Sequence, residues 1–150
     1  MAGLMISHKA WVLVGDGEKA LIFRNTGSRI RPRFEVVDQL KTTNPKTSDQ
    51  GTSVPGRRSD GPGPHSSAMD ETDWHKLEKH RFASDIAERL YKAAHAGKFA
   101  ELVVVAPPLI LGDLRAKFHK EVKSRIVAEV DKTLTNHPPS RIEHILTKPA

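Results

Sequence analysis

Eight histidines and several aspartates are the residues of this sequence that could carry metal or proton-transfer chemistry. His75 and His80 are five positions apart, which places them about 140° from each other on a helix, so they do not converge as ligands. His75 and Glu78 make a closer pair, but two ligands are not a site. Three aspartates fall near predicted strand ends: Asp16, Asp38 and Asp131. Because nothing local forces these carboxylates together as a two-metal nuclease requires, we expect no metal and no small-molecule cofactor.

Two short motifs bear on catalysis. GDGEK at residues 15–19 could suggest a phosphate-binding loop. It lacks the G-x-x-x-x-G-K-[ST] spacing and precedes a strand pattern rather than a helix, which favours a hairpin turn. The chain also has no G-x-S-x-G sequence, so acyl transfer by serine has no support. We therefore predict a protein that is not an enzyme.

The basic residues favour an anionic partner, since the formal net charge is +6 and such a surplus is typical of nucleic-acid binding. The first cluster contains no acid: Arg24, Arg29, Arg31 and Arg33. The second is interrupted only by Glu121: Arg115, Lys117, Lys120, Lys123 and Arg125. The alternative is a well-solvated surface without a partner. Trp11 and Trp74 could stack on bases, although burial at the edge of a core is the favoured interpretation.

Composition favours a cytoplasmic protein of one domain covering residues 1–150. There is no cysteine, so neither a disulfide framework nor a thiolate metal site is expected. The first residues, MAGLMISHKAW, do not have the pattern of a signal peptide. No apolar run approaches the length of a membrane span. The oligomeric state stays open.

Apolar runs at residues 10–14 and 20–24 flank the GDGEK turn and predict a β-hairpin. Residues 33–40 predict a third strand, antiparallel to the second. Residues 42–73 are rich in Pro, Gly, Ser and Thr, with little that could pack in a core. Such a segment predicts a flexible, disordered internal loop.

Residues 72–97 predict a long amphipathic helix, capped at Thr72 or Asp73 and ended by Gly97 in the left-handed conformation. Further elements follow in order: a strand buried on both faces in the apolar run 102–106, a helix at 109–118 opened by Pro107 and Pro108, a strand near 126–134, and a final helix in SRIEHILT. The order indicates an α/β fold: a single-domain, mixed five-stranded sheet that begins with an antiparallel hairpin and a third strand.

Four segments resemble the bacterial host attachment protein family: WVLVGDGEKALIFR at 11–24, HRFASDIAERL at 80–90, LVVVAPPLILGDLR at 102–115 and VAEVDKTLT at 127–135. Members of that family are described as required for attachment to host cells. The family in turn is similar to the middle domain of archaeo-eukaryotic peptide release factors, where Arg81-Phe82-Ala83 matches an Arg-Phe-Ala element that opens the long helix. Where the family pattern K-D-L-T has an acid, this chain has Thr133.

The resemblance places residues 42–73 where release factors carry the Gly-Gly-Gln loop of peptidyl-tRNA hydrolysis. This chain has no Gly-Gly-Gln there, and the segment holds three basic residues against five acidic ones. A loop that enters ribosomal RNA should be basic. Peptidyl-tRNA hydrolysis is therefore not expected, and Arg57-Arg58 is the one place in the loop suited to a partner contact.

Two functions remain open. The first is a non-catalytic module of release-factor-like fold that binds the ribosome or a structured RNA. The residues predicted to contact RNA are basic: Arg24, Arg31, Arg33, Arg81, Arg115, Lys117 and Lys120. The second is the role that the resemblance implies, attachment to host cells through protein or envelope interactions.

Overall fold

The computed structural model describes residues 3–42 and 64–148, and in its longest helix it describes the side chains of Leu77, His80 and the residues after His80. The strands are β1 Trp11–Gly15, β2 Lys19–Asn25, β3 Phe34–Lys41, β4 Leu102–Val105 and β5 Ile126–Val130. The helices are α1 Pro64–His95, α2 Pro108–Lys117, α3 Lys120–Lys123 and α4 Pro139–Thr147.

All five strands form one sheet in the order β3-β2-β1-β4-β5. β1 lies at the centre, antiparallel to β2 and parallel to β4. β3 is antiparallel to β2, and β5 is parallel to β4. The predicted mixed five-stranded sheet, with its N-terminal hairpin and antiparallel third strand, is confirmed.

The hairpin turn owes its shape to one side chain. Oδ1 of Asp16 accepts hydrogen bonds from the backbone N–H groups of Glu18 and Lys19, at 2.7 and 2.8 Å. An aspartate that binds its own backbone in this way fixes a turn. GDGEK therefore closes a hairpin, as predicted, and a strand follows it.

Apolar side chains fill both faces of the sheet, because neighbouring positions along a strand point in opposite directions. On one face, Leu13 and Val104 pack with Leu90 of α1. On the other face, Val12 packs with Ile142 of α4. Every residue of β4 is buried, which confirms the strand predicted to be covered on both faces.

Helix α1 has 32 residues and ends at the predicted glycine. Gly97 has a φ of +72°. The N–H groups of Gly97 and Lys98 bind the carbonyl oxygens of Ala94 and Ala93, each at 2.9 Å. These two bonds form a Schellman motif, which satisfies the last carbonyls of the helix.

Among the described residues, no helix is both long and apolar enough to cross a membrane.

Two predicted boundaries were wrong. Helix α1 begins at Pro64 rather than at Thr72 or Asp73, because proline is well suited to the first helical position. Residues 64–73 are therefore helical and not part of a loop, while residues 43–63 of the predicted loop lie outside the described residues. Strand β5 ends at Val130, short of the predicted residue 134. Its neighbour β4 ends at Val105 and the chain then enters helix α2 at Pro108, so the residues after Val130 have lost their pairing partner.

Candidate nucleic-acid interface

The connection between β2 and β3, residues 26–33, displays three exposed arginines and is called the arginine loop below. Its backbone pairs with itself: Thr26 N donates to the carbonyl oxygen of Arg33 at 2.9 Å, and Ser28 N to that of Arg31 at 3.1 Å. The hydroxyl oxygen of Ser28 accepts a further bond from Arg31 N at 2.9 Å. These three hydrogen bonds give the arginine loop a defined backbone conformation.

Asn25, the last residue of β2, holds the arginine loop from within and is fully buried. Its Oδ1 accepts hydrogen bonds from the backbone N–H groups of Gly27 and Arg33, both at 2.9 Å. Its Nδ2 donates to three carbonyl oxygens: those of Ile6, Ser7 and Ser28, at 2.9, 3.2 and 3.3 Å. The buried amide of Asn25 thus forms hydrogen bonds with backbone groups at both ends of the loop and in the segment that precedes β1.

One close backbone approach and two hydrogen bonds also fix the arginine loop. A Cβ at Gly27 would lie 2.3 Å from the carbonyl oxygen of Arg31 and 2.8 Å from Arg33 N, so only glycine fits without a backbone shift. Nδ1 of His8 lies 2.7 Å from the Gly27 carbonyl oxygen, an arrangement in which Nδ1–H donates. At the exit of the loop, Phe34 N donates to Oε2 of Glu143 at 2.6 Å.

No carboxylate in the described part of the chain neutralises the three arginines of the arginine loop. Within residues 3–42 and 80–148, Arg29, Arg31 and Arg33 make no ion pair with a carboxylate. Ile30, between the first two of these arginines, is 85% exposed. Arg24 lies beside the loop and pairs with Glu35 at 3.6 Å. The loop therefore presents three guanidinium groups that no described carboxylate pairs with, on a backbone held by hydrogen bonds.

The other predicted RNA contacts lie elsewhere. Arg81 is exposed on α1, and Lys117 and Lys120 are exposed at the ends of α2 and α3. The sheet order separates β2 from β5 by three strand spacings, about 14 Å. The structure therefore brings together Arg24, Arg31 and Arg33, but it does not gather all seven predicted residues on one surface.

Arg115 is a predicted RNA contact whose charge is matched by a carboxylate of the fold. Its Nε and Nη2 donate to Oε1 of Glu129 on β5, at 2.8 and 2.6 Å. The hydrogen bonds to Glu129, and the negative charge of that carboxylate, raise the pKa of the Arg115 guanidinium. Arg115 stays charged, but its charge is already matched, so we expect it to contribute less to RNA binding than an unpaired arginine.

The three aspartates considered for metal binding do not meet. Asp38 pairs with Arg89 at 2.6 Å, and Asp131 is exposed. Oδ2 of Asp16 accepts a 2.6 Å hydrogen bond from the hydroxyl of Thr135. Among the residues whose side chains are described, no three His, Asp or Glu residues are grouped as metal ligands.

The Thr135 hydroxyl joins the hairpin turn to the segment after β5, and it is buried. We expect Thr135→Val to lower the free energy of unfolding by about 1 kcal/mol, because it leaves one oxygen of Asp16 without its donor. Urea denaturation would measure this change. Thr133→Val is the matched control, since Thr133 is exposed and makes no such bond. Equal effects of the two changes would contradict a structural role for Thr135.

The structure describes the side chain of one of the two tryptophans that were considered for stacking on a base. Trp11 is 8% exposed, and its ring stacks on Phe99 with centroids 4.8 Å apart. It belongs to the core, as the favoured interpretation predicted, and is not available to stack on a base. The side chains of Trp74, His75 and Glu78 lie outside the described residues.

Sequence reasoning missed the two residues that shape the interface, Asn25 and His8. A signal for Asn25 was present, because it ends a strand and is followed by Thr-Gly-Ser, and asparagine commonly bonds to the backbone of a turn. No local signal identifies His8, which is 19 positions from its partner Gly27. The tertiary fold alone brings these two residues together.

A mixed sheet with an N-terminal hairpin, a third strand and a long helix is the architecture expected of a release-factor middle domain. The family model of bacterial archaeo-eukaryotic release factor family 12 matches residues 9–146. The chain belongs to this family, which confirms the predicted relationship to release factors. A search of the curated proteins gives no match.

Proposed function

We propose that this chain is a non-catalytic module that binds the ribosome or another structured RNA through the arginine loop. Membership of a release-factor-related family supports a translation-associated role. The observation that carries the proposal is the arrangement of Arg29, Arg31 and Arg33 on a loop held by Asn25: three exposed guanidinium groups that make no ion pair within residues 3–42 and 80–148.

The chemistry of this loop suits phosphate. A guanidinium group is planar, always charged, and binds phosphate oxygens with two parallel N–H donors. A loop whose backbone is ordered before binding loses less conformational entropy on binding, so a larger part of the contact energy contributes to affinity. Both properties favour a target that presents several phosphates in a fixed arrangement, as folded RNA does.

The proposal excludes peptide release, since residues 42–73 contain no Gly-Gly-Gln. Incubation with ribosomes that carry peptidyl-tRNA should leave the nascent peptide attached. Rapid release of peptide would contradict a purely binding role and would show that the chain is a hydrolase.

The main test removes the three arginines. We expect Arg29→Ala, Arg31→Ala and Arg33→Ala, combined in one variant, to weaken binding to ribosomal RNA by about tenfold or more at low salt. The slope of log K against log salt should also become shallower by about 2 to 3, because each lost phosphate contact removes about 0.7 to 0.9 from it. Fluorescence anisotropy with labelled RNA over a salt titration measures both quantities.

Two controls distinguish RNA binding by the arginine loop from RNA binding by overall positive charge. Lys117→Ala, Lys120→Ala and Lys123→Ala together remove the same charge from exposed positions near β5, and this variant should lose much less affinity. Gly27→Ala keeps every arginine but forces the loop backbone to shift, so it should weaken binding. Equal losses from the arginine and lysine variants would show that only net charge matters and would overturn the proposal.

Purification from native cells addresses the partner directly. The proposal predicts that ribosomal particles or structured RNA co-purify with the chain and are lost with the triple arginine variant. Recovery with envelope components, and without RNA, would instead support the attachment role implied by the family resemblance.

A further inference from the structure

A cleft of about 300 Å³ lies beside the arginine loop, at the end of the sheet where β1 and β4 begin. We call it the edge cleft. The residues that matter for its chemistry are His8, Lys9, Lys98, Phe99, Ala100 and Glu101. His8 also contacts the arginine loop through the Gly27 carbonyl, so the cleft and the loop form one continuous surface.

Both walls of the edge cleft have fixed backbones. Lys9 has a φ of +73°, a conformation that costs a lysine energy and persists only where the surroundings impose it. Its N–H donates to the carbonyl oxygen of Asn25 at 2.7 Å. The Schellman motif at the end of α1 fixes Lys98 on the other wall. The walls meet where Trp11 N donates to the carbonyl oxygen of Glu101 at 2.9 Å.

The edge cleft offers both donors and acceptors. Lys9 and Lys98 are exposed, and within the described part of the chain neither forms an ion pair. Glu101 supplies a carboxylate, which only accepts hydrogen bonds when ionised. The edge of a nucleotide base matches this set, since it carries both acceptors for the lysines and donors for the carboxylate.

We infer that the edge cleft takes one unpaired nucleotide of the RNA whose phosphates the arginine loop holds. This inference rests on the proposed function. An extruded base is accessible to side chains in a way that a paired base in an RNA helix is not. The arginine loop would bind the neighbouring phosphates, and the cleft would bind the base that leaves the stack.

A bare phosphate is a poorer occupant than a nucleotide. The edge cleft lies at the C-terminal end of α1, where the helix dipole disfavours negative charge. Glu101 adds a second acceptor on the wall, which repels an anion but suits the amino group of a base. The cleft also has the volume of a small ligand site, larger than one phosphate needs.

The test compares two RNA duplexes of the same sequence, one fully paired and one with a single bulged nucleotide. Measured by fluorescence anisotropy, the bulged duplex should bind about tenfold more tightly than the paired duplex. This is the size of the affinity gain expected from one bound base. Two variants should abolish that preference: Ala100→Trp, which fills the cleft from an exposed position, and Lys9→Gly, which removes the amine and suits the φ of +73°. The preference is the ratio of the two affinities measured for each variant, so the lost charge of Lys9, which weakens binding to both duplexes, does not enter it.

The outcomes distinguish this inference from the proposed function. If both duplexes bind equally and the two variants change nothing, the edge cleft inference is overturned while RNA binding stands. If neither duplex binds at low salt, the proposed function itself fails. Guanosine monophosphate alone should compete only weakly; competition as tight as that of the bulged duplex would overturn the assignment to an RNA nucleotide.

Discussion

Replacing Leu90 with alanine is expected to lower the free energy of unfolding by about 3 kcal/mol. Leu90 is fully buried in the core between α1 and the sheet. Alanine is the best helix former, so the change costs α1 nothing in intrinsic propensity. The loss comes from the removed apolar surface and from the cavity that remains. Urea denaturation followed by far-ultraviolet circular dichroism gives the value.

The matched control is Leu109→Ala, the same change at a residue that is 83% exposed. It should alter the free energy of unfolding by less than about 0.5 kcal/mol. If Leu90→Ala were as mild as this control, α1 could not be packed on the sheet through Leu90. The comparison therefore tests the central packing contact of the fold, independently of any function.

The fold was predictable where the signal is local. The hairpin follows from two apolar runs around one turn, and the body of α1 follows from the spacing of Phe82, Ile86 and Leu90, all of which are buried. The boundaries were harder, because they depend on partners distant in the sequence. Strand β5 ends where its neighbour β4 gives way to helix α2 at Pro108, which no inspection of residues 126–134 reveals.

The candidate interface was predictable only in part, for a related reason. Arg24, Arg31 and Arg33 are close in sequence and also in space. Lys9 and Lys98 line the edge cleft together because β1 pairs with β4, so charge counting along the chain could not find them. In the same way, Glu129 neutralises Arg115 from a different element, and a free cation cannot be distinguished from a paired one by sequence alone.

Asn25→Ala should lower the free energy of unfolding by about 3 kcal/mol and also weaken RNA binding. The change removes an amide that is fully buried and leaves the N–H groups of Gly27 and Arg33 without their acceptor. Each polar group left unsatisfied in a buried place costs about 1 to 3 kcal/mol. Several partners are only partly buried, so water can replace some bonds, which keeps the sum near the stated value.

The effect of Asn25→Ala on binding separates rigidity from charge, because every arginine of the loop remains in place. We expect RNA affinity to fall severalfold while the net charge is unchanged, since a loosened loop loses entropy on binding. Asn136→Ala is the control, the same change at an exposed turn residue, and it should alter neither stability nor affinity. If Asn25→Ala destabilises the fold but binds RNA as tightly as the parent chain at a temperature where both are folded, then the order of the arginine loop does not contribute to recognition.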